Sequence, residues 1–169
     1  MPNYDLEDNK ELKKLRETHP YYDVFENSWS FYENAYIGGQ CFIDGNIFKH
    51  VREHVDDHLD RIKRASNWNF SAVTVDYYTN FIFSDVNERN GGKQDTFYRE
   101  FISNVNLKGD NVDAFMAEVS NDARIYGIVY ILVEAPIKPE EIETKQQEED
   151  LGFRPYWVLI HPEEVLDWN

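Results

Sequence analysis

The chain holds a single cysteine, Cys41, in 169 residues, which excludes an internal disulfide framework and a cysteine-rich zinc module. It has no apolar run approaching the ~20 residues that a membrane-spanning helix requires. Met1 to Ser30 are charged and lack an apolar h-region, so no secretory signal is expected, and Asn69-Phe70-Ser71 reads as a chance match to a glycosylation sequon. Basic residues are few: 17 Lys and Arg stand against 32 Asp and Glu, a formal net charge of −15. A free-standing nucleic-acid binder normally carries a basic footprint, and this balance argues against one. Aromatic residues are abundant, with 11 Phe, 11 Tyr and 4 Trp, and the hydrophobic share is 41%. That composition is not that of a disordered chain, and the length suits one domain with a real core.

Periodicity organises the chain into helices followed by strands. Residues 5 to 18 read as a charged helix, acids first and bases after, stopped by His19-Pro20. Phe25, Trp29, Tyr32 and Tyr36 recur at helical spacing within 23 to 37, and Gly38-Gly39 is a natural stop. Residues 47 to 65 predict one long amphipathic helix with the stripe Phe48, Val51, Val55, Leu59, Ile62 and Ala65. Residues 70 to 83 are apolar on several sides and predict a helix buried against its neighbours, although Val73, Thr74 and Val75 leave a strand start open. A polar loop at Asn87 to Gly92 precedes a short helix over 94 to 105. Asp110 is the expected cap of the next helix, whose stripe is Val112, Phe115, Met116, Val119, Ala123 and Tyr126. Gly127 ends that helix. Ile128 to Glu134 and Arg154 to Ile160 have strand length, separated by a hydrophilic insertion over 136 to 152 that reads as a mobile loop. The expected fold is therefore α+β, helix-dominated, with a late antiparallel strand pair. The boundary falls between an N-terminal helical segment (1–37) and an α+β domain (38–169).

The chemistry-bearing residues are weak as sites. His50, His54 and His58 stand at four-residue steps, a spacing that can share a metal with Asp57 or Asp60. They lie about 90° from the centre of the apolar stripe, a flank where histidine is ordinary, and no Glu follows the first His as in metalloproteases. Gly91-Gly92-Lys93 lacks the earlier Gly and the following Ser or Thr of a phosphate loop. Cys41 has no nucleophile signature and reads as a small buried hydrophobe. Glu134, ending an apolar run, reads as a strand-end surface residue. The acidic run from Glu140 to Asp150 reads as a solvated loop. No cofactor and no catalytic residue is indicated.

The order of pieces in the second half carries more. A helix with Arg61, Arg64 and Ala65 leads through Asn69 to an apolar helix ending Phe81-Ile82-Phe83. Asn104-Val105-Asn106, Gly109 and a helix with Phe115 follow. Ala123-Arg124-Ile125-Tyr126-Gly127 runs into the apolar strand ending Glu134-Ala135-Pro136. After the acidic loop, Arg154-Pro155-Tyr156-Trp157 opens the second strand, and Pro162-Glu163-Glu164-Val165-Leu166-Asp167-Trp168 has a Pro-x-x-Val-x-x-Trp pattern. Over roughly residues 30 to 169 this resembles the N-terminal, wing-region part of tailed-bacteriophage portal proteins. Gly127, Glu134, Pro136, Pro155, Tyr156, Pro162 and Trp168 mark the resemblance, and Trp168 is expected to anchor the returning chain over the strand pair.

The resemblance implies a homo-oligomeric ring, commonly of twelve subunits, at one capsid vertex of the virion, assembled in the host cytoplasm. Double-stranded DNA would pass through it during packaging and ejection without sequence-specific binding. Partners would be the terminase, capsid or scaffold proteins and the head–tail connector; no membrane is involved, and the subunit is not an enzyme. Portal chains are longer than this one, so the ending at Trp168-Asn169 is expected to be a cut within a larger subunit. The negative charge suits a channel that must not grip phosphate. Two other readings compete: an acidic DNA-mimic or inhibitor, which needs only the −15 charge and a scaffold, and a metal-dependent enzyme built on His50, His54 and His58.

Overall fold

A computed structural model of the chain describes residues 17–85, 88–89, 95–136, 144, 147 and 153–168. The helix expected over 5–18 lies almost wholly outside them, as do Gly91-Gly92-Lys93 and nearly all of the acidic insertion. The described elements are α1 (Tyr22–Ile37), α2 (Gly39–Asn46), α3 (Val55–Arg64), α4 (Phe70–Ile82), α5 (Thr96–Ser103), α6 (Val112–Tyr126), β1 (Tyr130–Glu134) and β2 (Tyr156–Ile160). A 3₁₀ turn over Pro162–Glu164 follows. The fold is α+β, dominated by helix, with the late two-stranded antiparallel sheet that the pattern predicts. Tyr130 pairs with Ile160 and Glu134 with Tyr156, so the strands are in full register.

The core is built on α6. Its stripe at three- and four-residue steps buries Val112, Phe115, Val119 and Tyr126. The first three join Val105, which is wholly buried, and gather Phe101, Ile102, Met116, Trp157 and Leu159 around them. Trp157 meets Phe101 edge-on at 5.2 Å and Phe115 at 5.6 Å, geometries that aromatic quadrupoles favour. Val105 also fixes the sheet: its carbonyl accepts the Trp157 N–H at 2.8 Å, and its own N–H donates to the Asp110 carbonyl. A second cluster joins Tyr22, Trp29 and Tyr126 to Ile125 and Trp168, and Val129 touches both clusters. The Tyr22 hydroxyl donates to the Glu163 carbonyl at 2.6 Å, which ties α1 to the 3₁₀ turn.

The helix boundaries follow from local hydrogen bonds. Asn111, not Asp110, caps α6: its Oδ1 accepts the Ala114 N–H, while Asp110 is taken up by Asn106 inside the preceding tight loop. Gly127 ends α6 in the left-handed region (φ +83°), as its lack of a Cβ allows. Gly38 ends α1, but Gly39 opens the short α2 instead of a loop, and Cys41 on it is exposed, not buried.

The largest departure from expectation is α3. The helix predicted over 47 to 65 begins only at Val55, because the side chains before it compete for backbone groups. Glu53 accepts the His50 N–H at 3.0 Å and takes two bonds from the Arg61 guanidinium, at 2.9 and 2.8 Å. Arg61 also donates to the Phe48 carbonyl, and His54 caps the Asp56 N–H. A folded-back turn therefore replaces two turns of helix. No residue of α3 is buried.

The second departure is α4, which is helical throughout but not buried on its apolar side. It turns Ala72, Val75, Asp76 and Thr79 toward the body and Phe70, Val73, Tyr77 and Phe81 outward. The inward polar groups are satisfied in a chain of hydrogen bonds. Thr79 Oγ1 donates to Asn121 Oδ1, Asn121 Nδ2 donates to the Tyr36 hydroxyl, and that hydroxyl donates to Asp76 Oδ1. A buried polar network of this kind costs little when every member is paired.

Finally, the two ends of the described unit lie side by side. The His19 N–H donates to the Leu166 carbonyl at 2.8 Å, and the His19 and Trp168 rings stack at 4.3 Å.

Candidate functional site

The residues that carry the portal-like pattern fall in two places. At one end of the sheet, Gly127, Pro162 and Trp168 meet α1. Gly127 lets the chain drop from α6 into β1, Pro162 opens the 3₁₀ turn and is buried, and Trp168 lies on α1. Trp168 is not laid over the strand pair as expected. Its ring partners are His19, Tyr22, Phe25 and Trp29, at 4.3 to 6.3 Å. The 3₁₀ turn directs the chain back across α1, where the larger aromatic surface is. At the other end, Glu134 accepts the Tyr156 hydroxyl at 2.8 Å across the last pair of the ladder, with Pro136 and Pro155 just beyond. The Glu134 carboxylate beside it raises the Tyr156 phenol.

The α1 end encloses a cleft of about 430 Å³ between Phe25, Trp29, Tyr32, Tyr126, Tyr130 and Trp168, floored by Gly127. Among the described residues no charged side chain lines it. Behind it, Glu26, Glu33 and Glu163 gather around Tyr22 and Tyr126. Burial pushes the Glu163 carboxyl up, Glu33 and Glu26 add to the rise, and His161 opposes it. Burial raises the Tyr126 phenol far above its ordinary value, with Glu33 and Glu163 contributing. This arrangement offers a neutral aromatic surface for packing. It brings no nucleophile against a base.

The three histidines do not share a helix. His50 precedes α3 and its Nδ1 accepts the Arg52 N–H, His54 is the N-cap, and only His58 lies within the helix, its Nδ1 3.6 Å from Glu53. The face on which they were to converge is lost with the first two turns of the helix. Among the described residues no group of three or more His, Cys, Asp or Glu is arranged to hold a metal ion. No described helix is long and apolar enough to cross a membrane.

The outward face of α4 is the surface that sequence reasoning missed. Its stripe was readable, since Phe70, Val73, Tyr77 and Phe81 fall within a narrow arc at 100° per residue. The signal for which side faces inward was the pair Asp76 and Thr79 on the opposite arc, beside Tyr36 and Asn121.

No protein-family model and no curated protein sequence matches the chain.

Proposed function

We propose that this chain is part of a ring-forming portal subunit of a tailed bacteriophage. It serves as an assembly protein that lets double-stranded DNA pass during packaging and ejection and that docks terminase, capsid or scaffold proteins and the head–tail connector. The observation that carries this reading is the continuous path from α6 through Gly127, β1, β2, Pro162 and Trp168. From α6 to Trp168 the pieces on which the resemblance rests pack on one another and on α1, the helix stripe into the core, the strands in register and Trp168 on the aromatic face. The outward aromatic face of α4 supports it as well, because a subunit that assembles needs surface that its own core does not use. The subunit has no catalytic step of its own in this reading, and its place is the capsid vertex. Electron microscopy of the chain extended to its full reading frame tests it. Closed rings with an open centre are expected, commonly twelvefold. A strictly monomeric full-length protein overturns the reading, and tight, salt-sensitive binding of that monomer to a basic enzyme would favour the acidic-mimic alternative instead.

A further inference from the structure

The helix α4 is inside out. Its outward residues Phe70, Val73, Tyr77 and Phe81 are 64 to 69% exposed, and Trp68 just before it is 79% exposed, while the buried residue is the polar Thr79. An aromatic side chain offers about 150–250 Å², so these residues with Tyr78 and Ile82 present on the order of 700 Å² of contiguous apolar surface. The largest patch on an ordinary monomer is about 300–600 Å². The outward residues of α4 carry no charge, since Asp76, its only carboxylate, is bonded to Tyr36 on the inner side, and the charge at the margin is the Arg124 guanidinium, 5.9 Å from the centre of the Tyr78 ring. A chain of net charge −15 can therefore meet another copy here without opposing like charges.

The same chain supplies a second apolar stripe, exposed at Val55 and Leu59 and half-buried at Ile62. Val55, Leu59 and Ile62 lie on one arc of α3, Phe48 and Val51 stand beside it at 80 and 94% exposure, and α3 has no extended packing against any other described element. The two stripes differ in sequence and in place. A contact between them is head-to-tail, the kind that closes a ring, and not the self-complementary kind of a twofold dimer. In such a contact each partner contributes one stripe, and the α4 face by itself comes near the ~800 Å² per partner of a standard interface.

We infer that the outward face of α4 in one copy packs on the Val55–Leu59–Ile62 stripe of α3 in the next. The inference rests on the ring reading above and names the surface that would close the ring.

Two measurements on the 169-residue chain test it. In equilibrium sedimentation the chain is expected to self-associate with rising concentration. Tyr77→Glu, Phe81→Glu and Leu59→Glu should each weaken that association about tenfold or more. All three sites are exposed, so circular dichroism and melting should be unchanged. In a Cys41→Ser background, Val73→Cys protomers mixed with Leu59→Cys protomers should form the mixed disulfide, and neither should cross-link alone. Self-association that all three Glu variants leave intact overturns the assigned surface while sparing the ring. A Val73–Val73 disulfide overturns the head-to-tail pairing, and a chain that stays monomeric at every concentration overturns the inference outright. If the mixed disulfide forms but the full-length protein makes no closed ring, the contact stands and the portal reading fails.

Discussion

The Asn69 carboxamide lies directly against Gly38, in the space that a β-carbon at position 38 would occupy. Its Nδ2 donates to the Tyr36 carbonyl at the end of α1, and its Oδ1 caps α4 by accepting the Ala72 N–H at 3.0 Å. One side chain thus joins the exit of α1 to the entrance of α4, and only glycine leaves room for it.

Gly38→Ala meets two costs at once, a left-handed backbone (φ +68°) and an overlap with Asn69, whereas Gly127→Ala (φ +83°) meets only the first, since no atom of the described residues lies within 4 Å of its missing β-carbon. Gly127→Ala is expected to cost about 1 kcal/mol and Gly38→Ala about 2–3 kcal/mol. Urea unfolding of the two variants checks the difference. Equal midpoints would mean that Asn69 gives way freely.

Phe115 is 2% exposed and sits against Trp157 at the centre of the larger cluster. Phe115→Ala is expected to cost about 3–5 kcal/mol, through lost burial and the cavity left behind. The thermal midpoint should fall in step, with the near-ultraviolet signal of Trp157 losing intensity below the transition.

Acid should loosen the turn before α3 first. Hydrogen bonds from Arg61, followed by the His50 N–H, hold the Glu53 carboxyl down to about 2. A carboxyl depressed on folding stabilises above its unfolded value and loses that contribution as pH falls through the folded one. The window is therefore from about 4.5 down to about 2. Hydrogen exchange at residues 50–61 should quicken across that window. Glu53→Gln should already exchange quickly at neutral pH and show no further acid step.

Glu163 behaves in the opposite sense. Burial and its neighbours Glu33 and Glu26 raise its carboxyl, so the folded state favours the protonated form. That contribution is complete below the unfolded value and is lost as pH rises through the folded one. Glu163→Gln is therefore expected to be more stable than the parent at neutral pH, with the advantage vanishing in acid. Melting curves at several pH values read this directly, and a variant less stable at neutral pH contradicts it.

Much of the fold was legible because its signals are local. The stripe of α6, the left-handed stop at Gly127 and the two short apolar runs each specify their own element. The start of α3 was not legible, because the competing bonds of Glu53, Arg61 and His54 depend on a folded-back turn that a helical pattern at Phe48 and Val51 conceals. The orientation of α4 was not legible from α4 alone. Its aromatic stripe promises a core contact, and only the long-range partners Tyr36 and Asn121 show that the polar arc is the one taken inward. The aromatic cleft was half legible: Phe25, Trp29 and Tyr32 share one face of α1, but the arrival of Trp168 over them is set by the 3₁₀ turn.

The clasp between His19 and the segment Leu166–Trp168 has a mechanical consequence. A pull applied to the chain on either side of the described unit is carried by one backbone hydrogen bond and by the Trp168 ring, which stacks on His19 and lies against Tyr22, Phe25 and Trp29. The sheet and the helices other than α1 stay outside the line of force until that clasp opens. The unit can therefore sit within a longer polypeptide under tension as a closed loop that stays folded while the strain passes its neck.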